Sequence, residues 1–188
     1  MQIQQVAVAD LAQYSTICTR FLVHSTFEIF GDSPDTFILT EHPEPQPWVK
    51  DYDTHNPPST LPSRWDLSNW GIFLATQDSI PVGGGIVAHQ TPGVDMLMGL
   101  SDLAVLWDIR VAPDYRGQGL GRRLFETTTN WAKSRGCRDL HIETQNINVP
   151  ACRFYQTMGC TLIRVTRHAY SEYSGEHQLI WHRSVPAE

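Results

Sequence analysis

Val111-Ala112-Pro113-Asp114-Tyr115-Arg116-Gly117-Gln118-Gly119-Leu120-Gly121-Arg122-Arg123 is the stretch on which the reading of this chain turns. A strand-like run stops at Pro113-Asp114, three glycines follow in a turn, and helical spacing of apolar residues starts at Leu120. A helix start leaves its first backbone N–H groups without partners inside the helix. Glycines let an anion come close to those groups, so the pattern describes a cradle for a phosphate or pyrophosphate. A dinucleotide fingerprint would need glycine where Arg122 stands, and a P-loop would need Gly-Lys-Ser/Thr. What remains is Arg/Gln-x-x-Gly-x-Gly/Ala, filled by Arg116, Gly119 and Gly121. Arg110, Arg116, Arg122 and Arg123 all fall in this neighbourhood of a chain whose formal net charge is −6, which favours a polyanionic ligand.

Working outward, Leu103–Val111 reads as the strand before the turn, and Gly119 to Arg135 reads as a helix with Leu120, Leu124, Thr128, Trp131 and Ala132 at helical spacing. Gly136 suits the position just past its end. Asp139–Thr144 reads as a short strand, Pro150 fits the first turn of a helix running to Met158 and Gly159, and Cys160–Arg167 and His177–Arg183 read as two last strands. Upstream, Ile3–Val8 is a short strand and Asp10 caps a helix running to about His24, with Leu11, Tyr14, Ile17, Cys18 and Phe21 on one face. Seven prolines between Gly31 and Pro62 exclude a long regular element there. Gly71–Thr76 and Val82–His89 form a hairpin about Gln77–Pro81. This order gives a mixed α/β single domain.

The 188 residues suit one domain able to bury a core without disulfides or metal. The N-terminus carries no signal-peptide pattern, and no stretch approaches the roughly 18 apolar residues of a membrane span. Cys18, Cys137, Cys152 and Cys160 form no metal spacing, and read as free thiols of a cytoplasmic protein. Net negative charge argues against general nucleic-acid binding. The charge is uneven: residues 1–100 hold 11 acidic and 3 basic side chains, residues 101–188 hold 9 and 11. One half suits a cation and the other an anion.

A second motif reads Asn148-Val149-Pro150-Ala151-Cys152-Arg153-Phe154-Tyr155-Gln156-Thr157-Met158-Gly159. With the glycine-rich turn at this separation, the chain resembles the GNAT N-acetyltransferase superfamily, whose patterns are Arg/Gln-x-x-Gly-x-Gly/Ala and Asn-x-x-Ala-x-x-Phe-Tyr-x-x-x-Gly. Ile142-Glu143-Thr144-Gln145-Asn146-Ile147-Asn148 is similar to a segment of the streptothricin acetyltransferases. The resemblance runs from about Leu103 to Arg183. Cys160 departs from it, standing where the family most often has Phe.

The resemblance implies one domain over residues 1–188, with a mostly antiparallel mixed sheet flanked by helices and a Pro-rich region at about 31–62. It implies acetyl-CoA as donor, with no metal. Arg116, Gly117, Gln118, Gly119, Leu120, Gly121 and Arg122 would hold its pyrophosphate. The strand backbone of Ile109, Arg110 and Val111 would pair with the pantetheine arm, joined by Asn148, Ala151, Phe154 and Tyr155. Tyr155 would protonate the leaving thiolate. An amine with a pKa of roughly 10 must lose a proton before attack. Asp108 and Glu143, both acids on strands, compete to remove it, with His141 a weaker choice. The acceptor is expected to be a small cationic amine such as streptothricin or a polyamine, held by Asp51, Asp53 and Asp66 among Trp48, Tyr52 and Trp65. A peptide or protein amine, or a non-catalytic acyl-CoA binding module, are the alternatives. A homodimer is compatible with the resemblance; nucleic acid and membrane are not expected partners.

Overall fold

The structure, a computed structural model, describes residues 1–54, 56–170 and 175–186. In chain order its elements are β1 (Gln2–Gln5), α1 (Leu11–Tyr14), β2 (Phe21–Phe30), β3 (Ile38–Lys50), β4 (Gly71–Gln77) and β5 (Ile80–His89). There follow β6 (Leu103–Val111), α2 (Leu120–Ser134), β7 (Asp139–Gln145), α3 (Val149–Thr157), β8 (Thr161–Thr166) and β9 (Gln178–Ser184). Two compact units interleave along the chain. The first holds Met1–Arg20, Asp51–Leu140 and the residues from Val185; the second holds Phe21–Lys50 and His141–Ser184.

In the first unit β1, β4, β5 and β6 lie side by side, antiparallel throughout. The β4–β5 hairpin turns on Asp78 and Ser79, both at positive φ, the two-residue geometry whose twist matches paired strands. The strands therefore run closer to the turn than the sequence suggests. Three successive glycines on β5 set what packs on this sheet. A Cβ at Gly83 would meet Leu120 and Leu124 of α2, and one at Gly85 would stand 2.8 Å from Thr128 of the same helix. On the opposite face a Cβ at Gly84 would run into the ring of Tyr14. The helix and the tyrosine thus lie directly on backbone. The buried side of α2 is Leu120, Leu124, Phe125, Thr128, Trp131 and Ala132. The helix closes on Gly136 at φ +79, with Gly136 N–H bonded to Lys133 O and Cys137 N–H to Ala132 O, a double bond pattern that satisfies two terminal carbonyls.

In the second unit β7, β9 and β8 lie in that order, and β2 pairs with β3 as a separate antiparallel ribbon. α3 starts at Asn148, whose side chain accepts from Ala151 N–H, and closes on Gly159 in the same way that α2 closes on Gly136.

Two sequence expectations fail here. The N-terminal helix does not reach His24: it is one turn, Leu11–Tyr14, and Phe21–Phe30 is a strand. The run from Phe21 to Phe30 is rich in aromatic and β-branched residues and buries Val23, Phe27 and Ile29 at mostly alternating positions, a strand pattern that outweighs the apolar spacing shared with the helix reading. The proline-dense region also contains a long element, the 13-residue β3. Val23 pairs with Trp48 while Ser25 pairs with Pro43, so Glu44–Pro47 bulge out opposite His24. Pro45 and Pro47 occupy that bulge, where a missing N–H removes no ladder bond.

Candidate active site

The glycine-rich turn sits between β6 and α2, and its geometry is that of an open cradle. Gly117 (φ +73) and Gly119 (φ +81) are both left-handed, and space lies open where a Cβ would project from either. The 15-residue α2 begins immediately afterwards with no side-chain cap. Its first-turn N–H groups carry the positive end of the helix dipole, and Arg122 and Arg123 are exposed beside them. Arg116 holds the turn in place: its Nε donates to Val111 O at 3.0 Å and its Nη2 to Arg20 O at 3.2 Å. Gln118 Nε2 donates to Asp114 O at 2.8 Å. These residues fit a pyrophosphate held by backbone N–H groups and arginine charge.

Arg110 points into the first unit, its side chain 2% exposed. Its guanidinium donates to Asp108 through Nε (2.9 Å) and Nη2 (2.6 Å), to Asp53 through Nη1 (2.8 Å) and Nη2 (3.1 Å), and to Ile17 O through Nη1 (3.2 Å). It also lies over the Tyr14 ring, 5.0 Å from the centroid. Tyr14 Oη donates to Asp108 Oδ1 at 2.6 Å. Burial would lower the Arg110 pKa, yet the two carboxylates outweigh burial and raise it. Complete burial, then Asp108, pushes the Tyr14 phenol well above its usual pKa. The Arg110 side chain is thus fully engaged, and only its backbone is left to meet a ligand. Gly83, Gly84 and Gly85 of β5 pair with Val111, Arg110 and Ile109.

The acidic residues expected to meet a cation are partly committed as well. Asp53 holds Arg110. Asp51 pairs with Arg20 at 2.7 Å, and that hydrogen bond lowers its pKa. Asp66 accepts from the backbone N–H of Ser68 at 2.9 Å, and this lowers its pKa.

Along β7 burial alternates: Leu140, Ile142 and Thr144 are buried, while Asp139, His141, Glu143 and Gln145 share the other, half-buried face. Glu143 is held by neutral donors, Tyr170 Oη on Oε1 at 2.7 Å and Gln178 Nε2 on Oε2 at 2.8 Å. His141 meets the His182 ring at 5.9 Å. On α3, Tyr155 is 5% exposed, between Phe154 (centroids 5.5 Å) and Trp181 (6.3 Å). Ala151 follows the Asn148 cap, and its N–H donates to that side chain at 3.2 Å.

Sequence reasoning found Asp108, Arg110 and Glu143 but not what surrounds them. Tyr14 was visible only as one of several apolar positions on a helix face. Tyr170 and Gln178 lie in segments with no motif of their own, and Asn146 stands inside the Ile142–Asn148 segment, where the resemblance gives it no role. Among the described residues no group of three or more His, Cys, Asp or Glu is arranged to hold a metal ion, and no helix is long and apolar enough to cross a membrane.

The model of the acetyltransferase (GNAT) family matches residues 32–160. A streptothricin acetyltransferase of Escherichia coli is 31% identical over 109 residues, 56% of this chain and 63% of that protein. Streptothricin acetyltransferase A of Bacillus subtilis is 36% identical over 81 residues, 42% of this chain and 47% of that protein. The alignments thus span about half the length of these curated relatives. Among solved structures, a nourseothricin acetyltransferase superposes with a TM-score of 0.76 at 26% identity, covering 98% of both chains. A Bacillus anthracis protein assigned as a streptothricin acetyltransferase, solved with acetyl coenzyme A, gives a TM-score of 0.78 at 22% identity over 97% of this chain and 98% of that one.

Proposed function

The chain belongs to the acetyltransferase (GNAT) family, with that family's α/β fold and mostly antiparallel mixed sheet, and from that premise we propose that it transfers the acetyl group of acetyl-CoA to a primary amine of a small cationic molecule of the streptothricin type. The observation that carries the donor half is the open cradle of Gly117 and Gly119 at the uncapped start of α2. The acceptor half rests on the streptothricin acetyltransferases among the relatives. The charge imbalance between the two halves of the chain supports it less than the sequence suggests, because Asp51 and Asp53 already face internal arginines.

Bound acetyl-CoA supplies a thioester carbonyl open to attack. The α2 start, with Arg116 and Arg122 beside it, holds the pyrophosphate. The backbone of Ile109–Val111 orients the arm, assisted by Asn148. Glu143 removes the proton that keeps the amine from attacking: its hydrogen-bond partners are neutral, so its charge is available. Asp108 is the anchor of Arg110; protonating it would strip a buried cation of part of its compensation. Tyr155 gives its phenolic proton to the departing thiolate, and its packing fixes where that proton is delivered. Oxyanion stabilisation falls to backbone N–H donors.

A second reading, acetylation of a protein N-terminal amine, is favoured by one observation. The [ribosomal protein bS18]-alanine N-acetyltransferase of Escherichia coli is 34% identical over 79 residues, 42% of this chain and 53% of that protein. One experiment separates the readings. The protein is melted with and without acetyl-CoA, and amines are then screened by mass spectrometry for a gain of one acetyl group. The expected results are an upward shift in Tm, lost in Gly119→Glu, and a higher kcat/KM for streptothricin and polyamines than for neutral amines or peptides. No shift in the wild type overturns the donor assignment; a preference for peptides selects the second reading.

A further inference from the structure

We propose that Tyr170 is the positioning residue for the Glu143 carboxylate, delivered to it by the β8–β9 connection; this rests on Glu143 being the base. The hydrogen bonds have a direction. Gln145 Nε2 can only donate, and it donates to Tyr170 Oη at 2.9 Å. The single hydroxyl proton is therefore left for Glu143 Oε1 at 2.7 Å. On the other oxygen, Gln178 Nε2 donates at 2.8 Å while Gln178 Oε1 accepts from Thr166 Oγ1 at 3.2 Å, which fixes the orientation of that amide. A glutamate side chain with three rotatable bonds is thereby held at both oxygens.

The segment that carries Tyr170 is itself anchored on either side. Ahead of it, Arg167 Nη2 donates to Ile29 O (3.2 Å) and Gly31 O (2.9 Å). After it, buried Asn146 donates to Phe27 O and Gly175 O and accepts from His177 N–H at 2.8 Å. Beside these, Lys50 and Glu176 form a buried ion pair at 2.6 Å. A buried pair of this kind contributes little net stability for its desolvation cost, and register is its best-attested use. These contacts tie Arg167, Gly175, Glu176 and His177, on either side of Tyr170 in the chain, to β2, to Asn146 or to the end of β3.

The donor type suits a base. Two neutral donors stabilise and aim the carboxylate without cancelling its charge, and a carboxylate accepts about four hydrogen bonds, so lone pairs remain for the incoming ammonium proton. An arginine in place of Tyr170 would compensate the charge, as Arg110 does for Asp108.

The test is a double-mutant cycle on single-turnover rates at saturating acetyl-CoA, with streptothricin as acceptor. Tyr170→Phe should lower the rate about ten- to a hundredfold, the cost of a mispositioned group, with the KM for acetyl-CoA unchanged within about twofold. In a Glu143→Gln background the same substitution should cost nothing further, because its effect passes through the carboxylate. Gln145→Leu, which removes the donor that orients the hydroxyl, should show a smaller loss with the same dependence on Glu143, and it serves if Tyr170→Phe folds poorly. An equal loss in both backgrounds, or no loss while Glu143→Gln is impaired a hundredfold or more, overturns the role of Tyr170. Wild-type turnover by Glu143→Gln instead refutes the base assignment, and the role of Tyr170 with it.

Discussion

Asp108 and Glu143 make an instructive pair. Both are acids in strands, both are half-buried, and the sequence offers no means of choosing between them. In the first unit Asp108 meets a cation: Arg110 holds both its oxygens, and Asp53 and Tyr14 complete the cluster. In the second unit Glu143 meets a phenol and an amide. A carboxylate tied to a buried guanidinium is a structural joint, since taking up a proton would break it. One tied by neutral donors keeps its charge uncompensated, as the proposed base requires. The difference lies in the partner, and both partners of Glu143 stand 27 or more residues away along the chain.

The joint is broken most severely by Arg110→Leu. Asp53 and Asp108 would lose their buried partner, and removing one member of such a cluster costs about 3–5 kcal/mol. Denaturant unfolding should show that loss; a change under about 1 kcal/mol would mean that the cluster is not the joint described.

Tyr14→Phe is milder, since it removes one hydrogen bond to a charged acceptor, worth about 1.5–3 kcal/mol. It carries a pH signature. The Tyr14 phenol is raised in the folded state by burial and by Asp108. Its contribution is therefore full below the unfolded value of about 10 and is lost as pH rises through the folded value. Wild-type stability should fall above about pH 10 more steeply than that of Tyr14→Phe. Parallel curves would remove the link.

The smallest effect belongs to the exposed pair of Arg153 with Glu41 in the second unit. Arg153→Ala should cost about 1 kcal/mol or less in the same unfolding measurement. A loss comparable to that of Arg110→Leu would mean that burial of the guanidinium is not what makes the Arg110 cluster costly to break.

The glycine-rich turn, β6 and both closing glycines were legible in the sequence because each depends on local chemistry: a missing Cβ or a proline stop. The N-terminal helix was misread because Leu11, Tyr14, Ile17, Cys18 and Phe21 fit a helical stripe, while the strand pattern that prevails begins only at Phe21. β3 was hidden by its own prolines, since a bulge that removes Pro45 and Pro47 from the ladder leaves no mark in composition. At the site, Asp108, Arg110 and Glu143 were visible as charges on strands. The tyrosines that distinguish them were not. Tyr14 reaches Asp108 across 94 residues and Tyr170 reaches Glu143 across 27, and pairings of that length are set by tertiary packing, which no local pattern records.

The division of roles between the two acids is tested most directly by comparing Glu143→Gln with Asp108→Asn for kcat of acetyl transfer to streptothricin and for stability. Loss of a general base typically costs 10²–10⁴ in rate. Glu143→Gln should lose a factor of that order with little change in Tm, and Asp108→Asn should show a lowered Tm with kcat per folded molecule nearly intact. The reverse, an active Glu143→Gln beside a stable but inactive Asp108→Asn, would contradict that division.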